Sequence, residues 1–493
     1  MAQLPVLVVI IPLLAAPLLV LVRQRALVRL MALAASAASA VCATLLALQV
    51  DDAISYHVGG WPPPVGIEYR VTKATAFVLT LVTSLGTVAL FLGTRGTRKD
   101  VQEGRTHLFY AAYLLCLTGL LGMVVTGDAF NVFVFLEISS LSTYALVAMG
   151  PRRRALTAAF NYLILGTIGG TFVLIGIGLL YQMTGTLNGI DIVEKMADVG
   201  ETRTVQVAFA FLVVGFGIKL AVFPLHQWLP NAYVESPSAV SSFLAGTATK
   251  VIYFQMIRVL LGVFGASYVF GTLQFGLLLG PLSLIGMFAG SLAAIYQNSL
   301  KRLLAYSSIG QVGYLTLALA FGTEEGTYAG MLHLGAHAVT KTGLFLLASA
   351  IIAHVGTDRI ASLAGLGKRM PLAAFAFVVG GVGLIGVPGT AGFVSKWALL
   401  RAALEAGHLA YAIAILLSSL LAVVYVWRVV EVMYFREPPD EGSESLKGLR
   451  GYDWGAFAPA LVVLGASIVL GVWSEPITSY LHDAAVQLYQ GSR

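Results

Sequence analysis

Charge is what this sequence has least of. Only 11% of its 493 residues are Asp, Glu, Lys or Arg, while 58% are hydrophobic, and mean hydropathy is +0.85. A water-soluble chain of this length needs a charged surface that these residues cannot supply. Cysteine is almost missing: Cys42 and Cys116 are the only two, and both fall inside apolar runs. Neither has a metal-ligand or disulfide-framework spacing, so no structural disulfide and no metal site is expected of them. No Rossmann glycine pattern follows a strand, and no haem-attachment motif occurs. No cofactor is expected, and any electron transfer would belong to partner subunits. Strand-like alternation is absent, which argues against a transmembrane barrel. The net charge of +6 is scattered among short loops, so nucleic acid is not an expected partner.

In place of charge the chain has apolar runs of about 20 residues, the length that crosses a hydrocarbon core. They predict an all-α polytopic membrane protein embedded in a lipid bilayer, with about fourteen transmembrane helices. The spans fall at 4–22, 27–49, 72–94, 107–126, 129–149, 155–182, 205–228, 237–262, 270–296, 301–321, 327–354, 371–402, 407–435 and 454–482. The first run lacks a basic stretch before it and a small-residue cleavage site. It reads as a retained span, not a signal peptide. Assigning alternate loops to the cytoplasm, starting after span one, checks the count. That side collects Arg23, Arg25, Arg29, Arg95, Arg98, Lys99, Arg105, Arg152, Arg153, Arg154, Lys301, Arg302, Arg359, Lys368, Arg369, Arg436, Lys447 and Arg450, which is 18 of the 30 Lys and Arg. The other side holds Arg70, Lys73, Lys195, Arg203 and Arg493. Such an excess marks the cytoplasmic face, so both termini are expected outside. Residues 189–200 set Ile190, Val193, Met196 and Ala197 against Asp191, Glu194 and Lys195. They predict a short amphipathic helix on the outer surface. Residues 436–453 read as a flexible cytoplasmic linker before an isolated last span.

Two spans carry breaks. Span seven, "GFGIKLAVFPLHQWLP" (215–230), is interrupted at Pro224, and span twelve, "GVPGTAGFVSKWALL" (386–400), at Pro388 and Gly389. Each keeps one lysine near its break, Lys219 and Lys396. The two spans are five apart and enter from opposite sides, the pattern of inverted-repeat transporters. The expected organisation is N-terminal helices over 1–106, a first inverted five-helix repeat over 107–265, a second over 266–435, and the linker with the final helix over 436–493.

The charges that do occur at bilayer depth carry most of the functional information, because each costs roughly 2.5–3.5 kcal/mol at the centre of a lone helix. Glu137 lies midway along span five, too short to reach a surface. It is either a protonated carboxyl satisfied by a neighbouring helix or a titrating carboxylate with a cationic partner. Lys219 lies midway along span seven. Desolvation favours a neutral amine and a nearby carboxylate favours an ammonium, so moving Glu137 or its charge can switch the Lys219 proton. Lys250 in span eight follows Ala245, Gly246, Thr247 and Ala248, small residues that allow close helix approach. Arg258, nearer the helix end, is expected to snorkel. His333, His337 and Lys341, four apart, share one face of span eleven, where imidazoles can pass protons stepwise. The two histidines have i,i+4 metal spacing, but without a third ligand no metal site is expected. Lys396 follows the break of span twelve and His226 that of span seven, where freed backbone groups can line a hydrated cavity. Tyr144, Tyr306, Ser307 and Ser308 can bridge gaps with water.

At these residues a family becomes recognisable. The whole chain resembles the antiporter-like subunits shared by complex I, membrane-bound hydrogenases and Mrp-type cation/proton antiporters. "IKLAVFPLHQWLPNAYVESPSAVSSFLAG" (218–246) resembles the family's broken seventh helix and the start of its eighth, and "QNSLKRLLAYSSIGQVGY" (297–314) the start of its tenth. "HLGAHAVTKTGLFL" (333–346) and "GVPGTAGFVSK" (386–396) are similar to its eleventh- and twelfth-helix signatures. The resemblance implies that Glu137 and Lys219 are the paired glutamate and lysine, Lys250 the central connecting lysine, and Lys396 the terminal lysine. It implies that His333, His337 and Lys341 form the eleventh-helix relay. It also implies a prokaryotic plasma membrane, partner membrane subunits, and transport of H+ with Na+ or another monovalent cation.

Lysine at 396, where one complex I subunit has glutamate, counts against that branch. A long lateral helix and the large Mrp extension are not found either. A short D-type Mrp subunit fits best, with the smallest complex I antiporter-like subunit and a hydrogenase subunit as alternatives. A purely structural membrane scaffold is the third reading, under which the buried charges would be dispensable.

Overall fold

Apolar runs this long leave backbone N–H and C=O groups no water to bond, so the chain must satisfy them internally, which helices do. The computed structural model describes residues 3–102, 104–437 and 452–490. Of the expected linker 436–453, residues 438–451, with Lys447 and Arg450, lie outside the described residues, as do Arg493 and the side chains of Arg95, Arg98 and Lys99. Among the described residues thirteen helices are long and apolar enough to cross a membrane, and counting a bent pair as one span makes fourteen.

α1 (Leu4–Leu21), α2 (Arg25–Gln49), α3 (Lys73–Asp100), α4 (Thr106–Val125), α5 (Ala129–Ala148) and α6 (Arg154–Thr184) follow the expected spans closely. Between α2 and α3 the chain forms a two-stranded antiparallel hairpin, β1 (Ile54–His57) with β2 (Glu68–Val71), Ile54 opposite Val71. Four residues per strand are too few for alternation to show in the sequence. α7 (Gly189–Val199) is the expected surface helix, started by the Asn188 side chain, which accepts from the N–H groups of Ile190 and Asp191. It buries Ile192 and Met196, while Ile190 is exposed, so its inner face is rotated from the one expected.

Span seven is two helices, α8 (Arg203–Leu220) and α9 (Trp228–Glu235). Span eight, expected to be continuous, is also interrupted: α10 (Ser238–Gly246) and α11 (Ala248–Ile257) meet at Thr247, whose φ of −124° and ψ of −57° leave the helical region. π-helical turns follow at Arg258–Val263 and Ser267–Thr272 before α12 (Gly276–Ile295). α13 (Leu300–Ala320) and α14 (Glu324–Val355) are unbroken. A short α15 (Leu366–Arg369) precedes span twelve, which is again two halves, α16 (Pro371–Ile385) and α17 (Ala391–Glu405). α18 (Leu409–Phe435) is followed by α19 (Trp454–Val472), which is shorter than expected. Residues 475–482, expected to prolong it, instead begin a separate helix, α20 (Glu475–Gln490).

Contacts between loops group several of them onto two faces. On one face Arg152 lies 3.7 Å from Asp358, Ser299 Oγ donates to Asp358 at 2.7 Å, and the Ser238 N–H donates to Asp100. On the other, the Gly127 N–H bonds Glu68, Asn188 Nδ2 bonds Glu68 at 3.1 Å, and α20 straps across. Tyr480 there bonds the Lys73 carbonyl, Tyr489 the Gly322 carbonyl, and Asp483 pairs with Lys73 at 2.9 Å. The Lys73 hydrogen bond and charge hold the Asp483 carboxyl below its usual range. That tie is therefore present at neutral pH and is lost only as pH falls through the lowered value.

α14 is the axis of the bundle. Every residue from Ala329 to Ile351 is buried, and it packs against α3, α10, α13, α16, α17, α19 and α20. A helix apolar all round belongs at the centre, and this is why His333, His337 and Lys341 end up far from any surface. Glycines allow the close approach: a methyl on Gly246 would collide with Thr342, and one on Gly343 with Leu464.

Candidate functional site

The first cluster is built on α5. Spacings of three and four put Glu137, Ser140 and Tyr144 on one helix face, and Lys219 reaches that face from the last turn of α8. Its Nζ donates to Ser140 Oγ at 2.7 Å and to Tyr144 OH at 3.5 Å, and lies 3.5 Å from Glu137 Oε1. The lysine side chain is 4% exposed and the glutamate 24%. Glu137 thus has a cationic neighbour in Lys219. Room for the pair comes from α6: a methyl on Gly170 would strike Glu137 Oε1, and one on Gly166 would strike Tyr144 OH. α8 stops here because Ala221 turns into the left-handed region at φ 63°, rare for a residue with a Cβ. The chain re-enters the bundle with Trp228, whose Nε1 donates to the Ile218 carbonyl at 2.8 Å and whose ring stacks on Tyr162 at 4.1 Å. The Ile218 carbonyl thereby takes a second donor beside the Ala221 N–H at 3.2 Å.

Lys250, on α11, is fully buried. Its Nζ donates to the Ala245 carbonyl, freed by the interruption at Thr247, and to Thr249 Oγ1 at 3.3 Å. It makes no described side-chain bond to Lys219 or to His337.

The second cluster surrounds α14. Lys341 Nζ donates to the Leu304 carbonyl at 2.7 Å and to Ser307 Oγ at 2.5 Å. Ser308 Oγ donates to the same carbonyl. His337 follows one turn on, both ring nitrogens buried with no hydrogen-bond partner among the described residues, its ring 6.0 Å from that of His333. His333 Nδ1 is 3.0 Å from Ser395 Oγ, the residue before Lys396. Lys396 Nζ donates to the carbonyls of Leu384 and Ile385, the open end of α16, and to Ser419 Oγ, each at 3.0 Å. It also lies over the Tyr314 ring at 4.7 Å, and that ring is 5.5 Å from His333. Ring contacts thus link His337, His333 and, through Tyr314, Lys396, and Lys341 lies one helical turn from His337.

The common device is an amine docked on carbonyls or hydroxyls that a helix leaves available, with a carboxylate at only one of four lysines. Charge-assisted hydrogen bonds of this kind replace the hydration that burial removes. Among the described residues no group of three or more His, Cys, Asp or Glu is placed to hold a metal ion.

Not every expected residue joins the clusters. His226 stacks on Phe223, and its Nδ1 is buried without a hydrogen-bond partner among the described residues. It makes no described contact with Lys219. The Tyr306 side chain has no described bond to the row. Pro224 lies in the 221–227 break, and Pro388 and Gly389 lie in the 386–390 break, with Gly389 at φ 87°. Arg258 does not simply snorkel: its guanidinium donates to the Val124 and Thr126 carbonyls and caps α4. Sequence reasoning missed Ser140, Gly166, Gly170, Tyr314, Ser395 and Ser419. Ser140 had a signal, three residues past Glu137 on the same face. Tyr314 and Ser419 had none, because their role arises from tertiary packing.

The family model described as NADH:quinone oxidoreductase/Mrp antiporter, TM, matches residues 126–422. The chain is 41% identical to NADH-quinone oxidoreductase subunit N of Desulforudis audaxviator (strain MP104C), covering 97% of both chains. It is 31% identical to the D-type subunit of the Na(+)/H(+) antiporter of Bacillus subtilis (strain 168), covering 98% of this chain and 96% of that one. Among solved structures, a chain of the Mrp complex from Dietzia sp. DQ12-45-1b superposes with a TM-score of 0.89 at 25% identity, over 99% of this chain and 97% of the other.

Proposed function

The chain belongs to the NADH:quinone oxidoreductase/Mrp antiporter transmembrane family, and from that premise we propose that it moves protons as one subunit of a multisubunit cation/proton antiporter. It is an antiporter-like subunit of the kind found in Mrp, complex I or related membrane complexes, and its structural neighbours are chains of multisubunit membrane assemblies. The observation that carries the finer reading is Lys219, a buried amine with Glu137 3.5 Å away as its one ion-pair partner among the described residues. A proton held there depends on a single counter-charge, and a change in the field on Glu137, imposed by a neighbouring subunit, alters the hold. Protons released from Lys219 pass by way of Lys250 to Lys341, His337, His333 and Lys396, with water bridging the two gaps around Lys250. Residues 107–265 and 266–435 are the two inverted halves of this path, a reading supported by the lysine placed at each broken helix. Na+ or another monovalent cation moves the other way through the assembled complex. The chain sits in a prokaryotic plasma membrane with both termini outside.

Everted vesicles holding the complex test this. A Na+ or K+ pulse is expected to collapse a preformed pH gradient, read by acridine-orange dequenching, without NADH or quinone. A response that appears only with a quinone-linked electron donor favours the second reading, redox-driven pumping in a quinone-oxidoreductase complex. The 41% identity to a quinone-oxidoreductase chain speaks for that reading. The site geometry itself supplies a further prediction. Gly170→Ala pushes its methyl into Glu137 Oε1 and is expected to slow transport roughly tenfold, about 1.4 kcal/mol, with normal expression. Gly178→Ala on the same helix, where a methyl meets nothing within 4 Å, is expected to transport normally in the same vesicles.

A further inference from the structure

A second polar site lies away from the proton row, on the arginine-rich face. A recess of about 620 Å³ opens between α18 and the paired segments 298–300 and 358–360, lined by Arg359, Arg428 and Arg436 with Asn298 and Val432. Its floor is rigid: the Leu300 N–H bonds the Asp358 carbonyl at 2.8 Å and the Ile360 N–H bonds the Asn298 carbonyl at 2.9 Å. Arg428 and Val432, four apart, lie on one face of α18, and Arg436 is the extended residue that follows its end. Arg428 is fixed by hydrogen bonds to the Ile295 and Gln297 carbonyls and to Asn298 Oδ1. Arg436 is shared with Glu431 at 2.9 Å. Neither Arg359 nor Arg428 pairs with a carboxylate among the described residues. The recess therefore carries an excess of positive charge in a planar, forked form suited to phosphate oxygens.

Its surroundings identify the source of the phosphate. Tyr296, Trp427 and Phe435 beside it are 78%, 54% and 70% exposed, the aromatic pattern of a helix end at the membrane interface. The lipid-accessible flank of α18 continues from there with Leu420, Val423 and Val424 exposed. A soluble anion has no use for such an apolar flank, whereas a phospholipid fits both parts, its headgroup on the arginines and its chains along α18. We propose that this recess binds the phosphate headgroup of an anionic phospholipid from the leaflet on the arginine-rich face.

The test uses the purified, delipidated complex and native mass spectrometry of this subunit. Dioctanoyl phosphatidylglycerol is expected to bind on the order of tenfold more tightly than dioctanoyl phosphatidylcholine, and the double variant Arg359→Gln, Arg436→Gln to lose that preference. Arg359→Lys, Arg436→Lys keeps the charge and is expected to keep most of the binding, which guards against a merely misfolded double variant. Equal binding of the two lipids, or an unchanged preference in the glutamine variant, overturns the proposal. Competition by millimolar inorganic phosphate as effective as the lipid shows a soluble-anion site and overturns it too. A photo-crosslinking residue at Ala361 in the assembled complex is expected to capture phospholipid, and capture of another subunit there instead refutes the lipid assignment.

Discussion

Lys396→Ala is expected to abolish ion transport and to destabilise the chain. The amine is the tie between the two halves of span twelve, donating to Leu384, Ile385 and Ser419 at 3.0 Å each. Its removal leaves two carbonyls at the end of α16 unpaired, at about 1–3 kcal/mol for each buried group left open. It also removes the cation over the Tyr314 ring. Lys396→Arg separates the two losses. A guanidinium can donate to the same carbonyls but does not give up its proton. The arginine variant is expected to recover much of the melting temperature, read by fluorescence-detected size exclusion, and none of the transport. Transport at the wild-type rate in Lys396→Arg means that this residue never releases a proton.

Lys219→Ala is expected to reduce transport to background while the complex still assembles. Assembly survives because Glu137 is 24% exposed and, deprived of its partner, can take up a proton or a water instead of remaining a buried charge. Transport fails because no other amine in the first cluster can receive the proton. Ser140→Ala removes the 2.7 Å hydrogen bond but leaves the carboxylate, and is expected to slow transport without stopping it. Native gels of the complex beside dequenching rates distinguish a lost relay from a lost subunit. Failure to assemble in Lys219→Ala would make the lysine a packing element instead.

The span count and the two breaks were legible because apolar runs and Pro224, Pro388 and Gly389 are local signals. Glu137, Lys219, Lys250, Lys341 and Lys396 were legible for a related reason: a charge inside such a run stands out against its neighbours. What was not legible is set by tertiary packing or by weak local chemistry. Thr247 interrupts span eight without a proline, and the reward for doing so, the Ala245 carbonyl offered to Lys250, exists only in the folded bundle. The first half of α20, residues 475–482, reads in the sequence as the end of the last span. The bend at Trp473 and the ties from Tyr480 and Tyr489 to distant carbonyls separate it. Gly166 and Gly170 look like any membrane-helix glycines until the atoms they make room for are known. Tyr144, Tyr306, Ser307 and Ser308 were expected to bridge gaps in the row of titratable groups with water, and Lys250 stands at such a gap, with no described bond to Lys219 or His337.

The central claim is that the charge on Glu137 governs the proton on Lys219, and Glu137→Gln tests it most directly. Glutamine keeps the shape and the polar oxygen and removes only the charge. The measurement is cation-driven dequenching in everted vesicles, at equal amounts of intact complex. The account predicts a loss of at least about tenfold in Glu137→Gln, a change of roughly 1.4 kcal/mol or more in the barrier. An unchanged rate would contradict it.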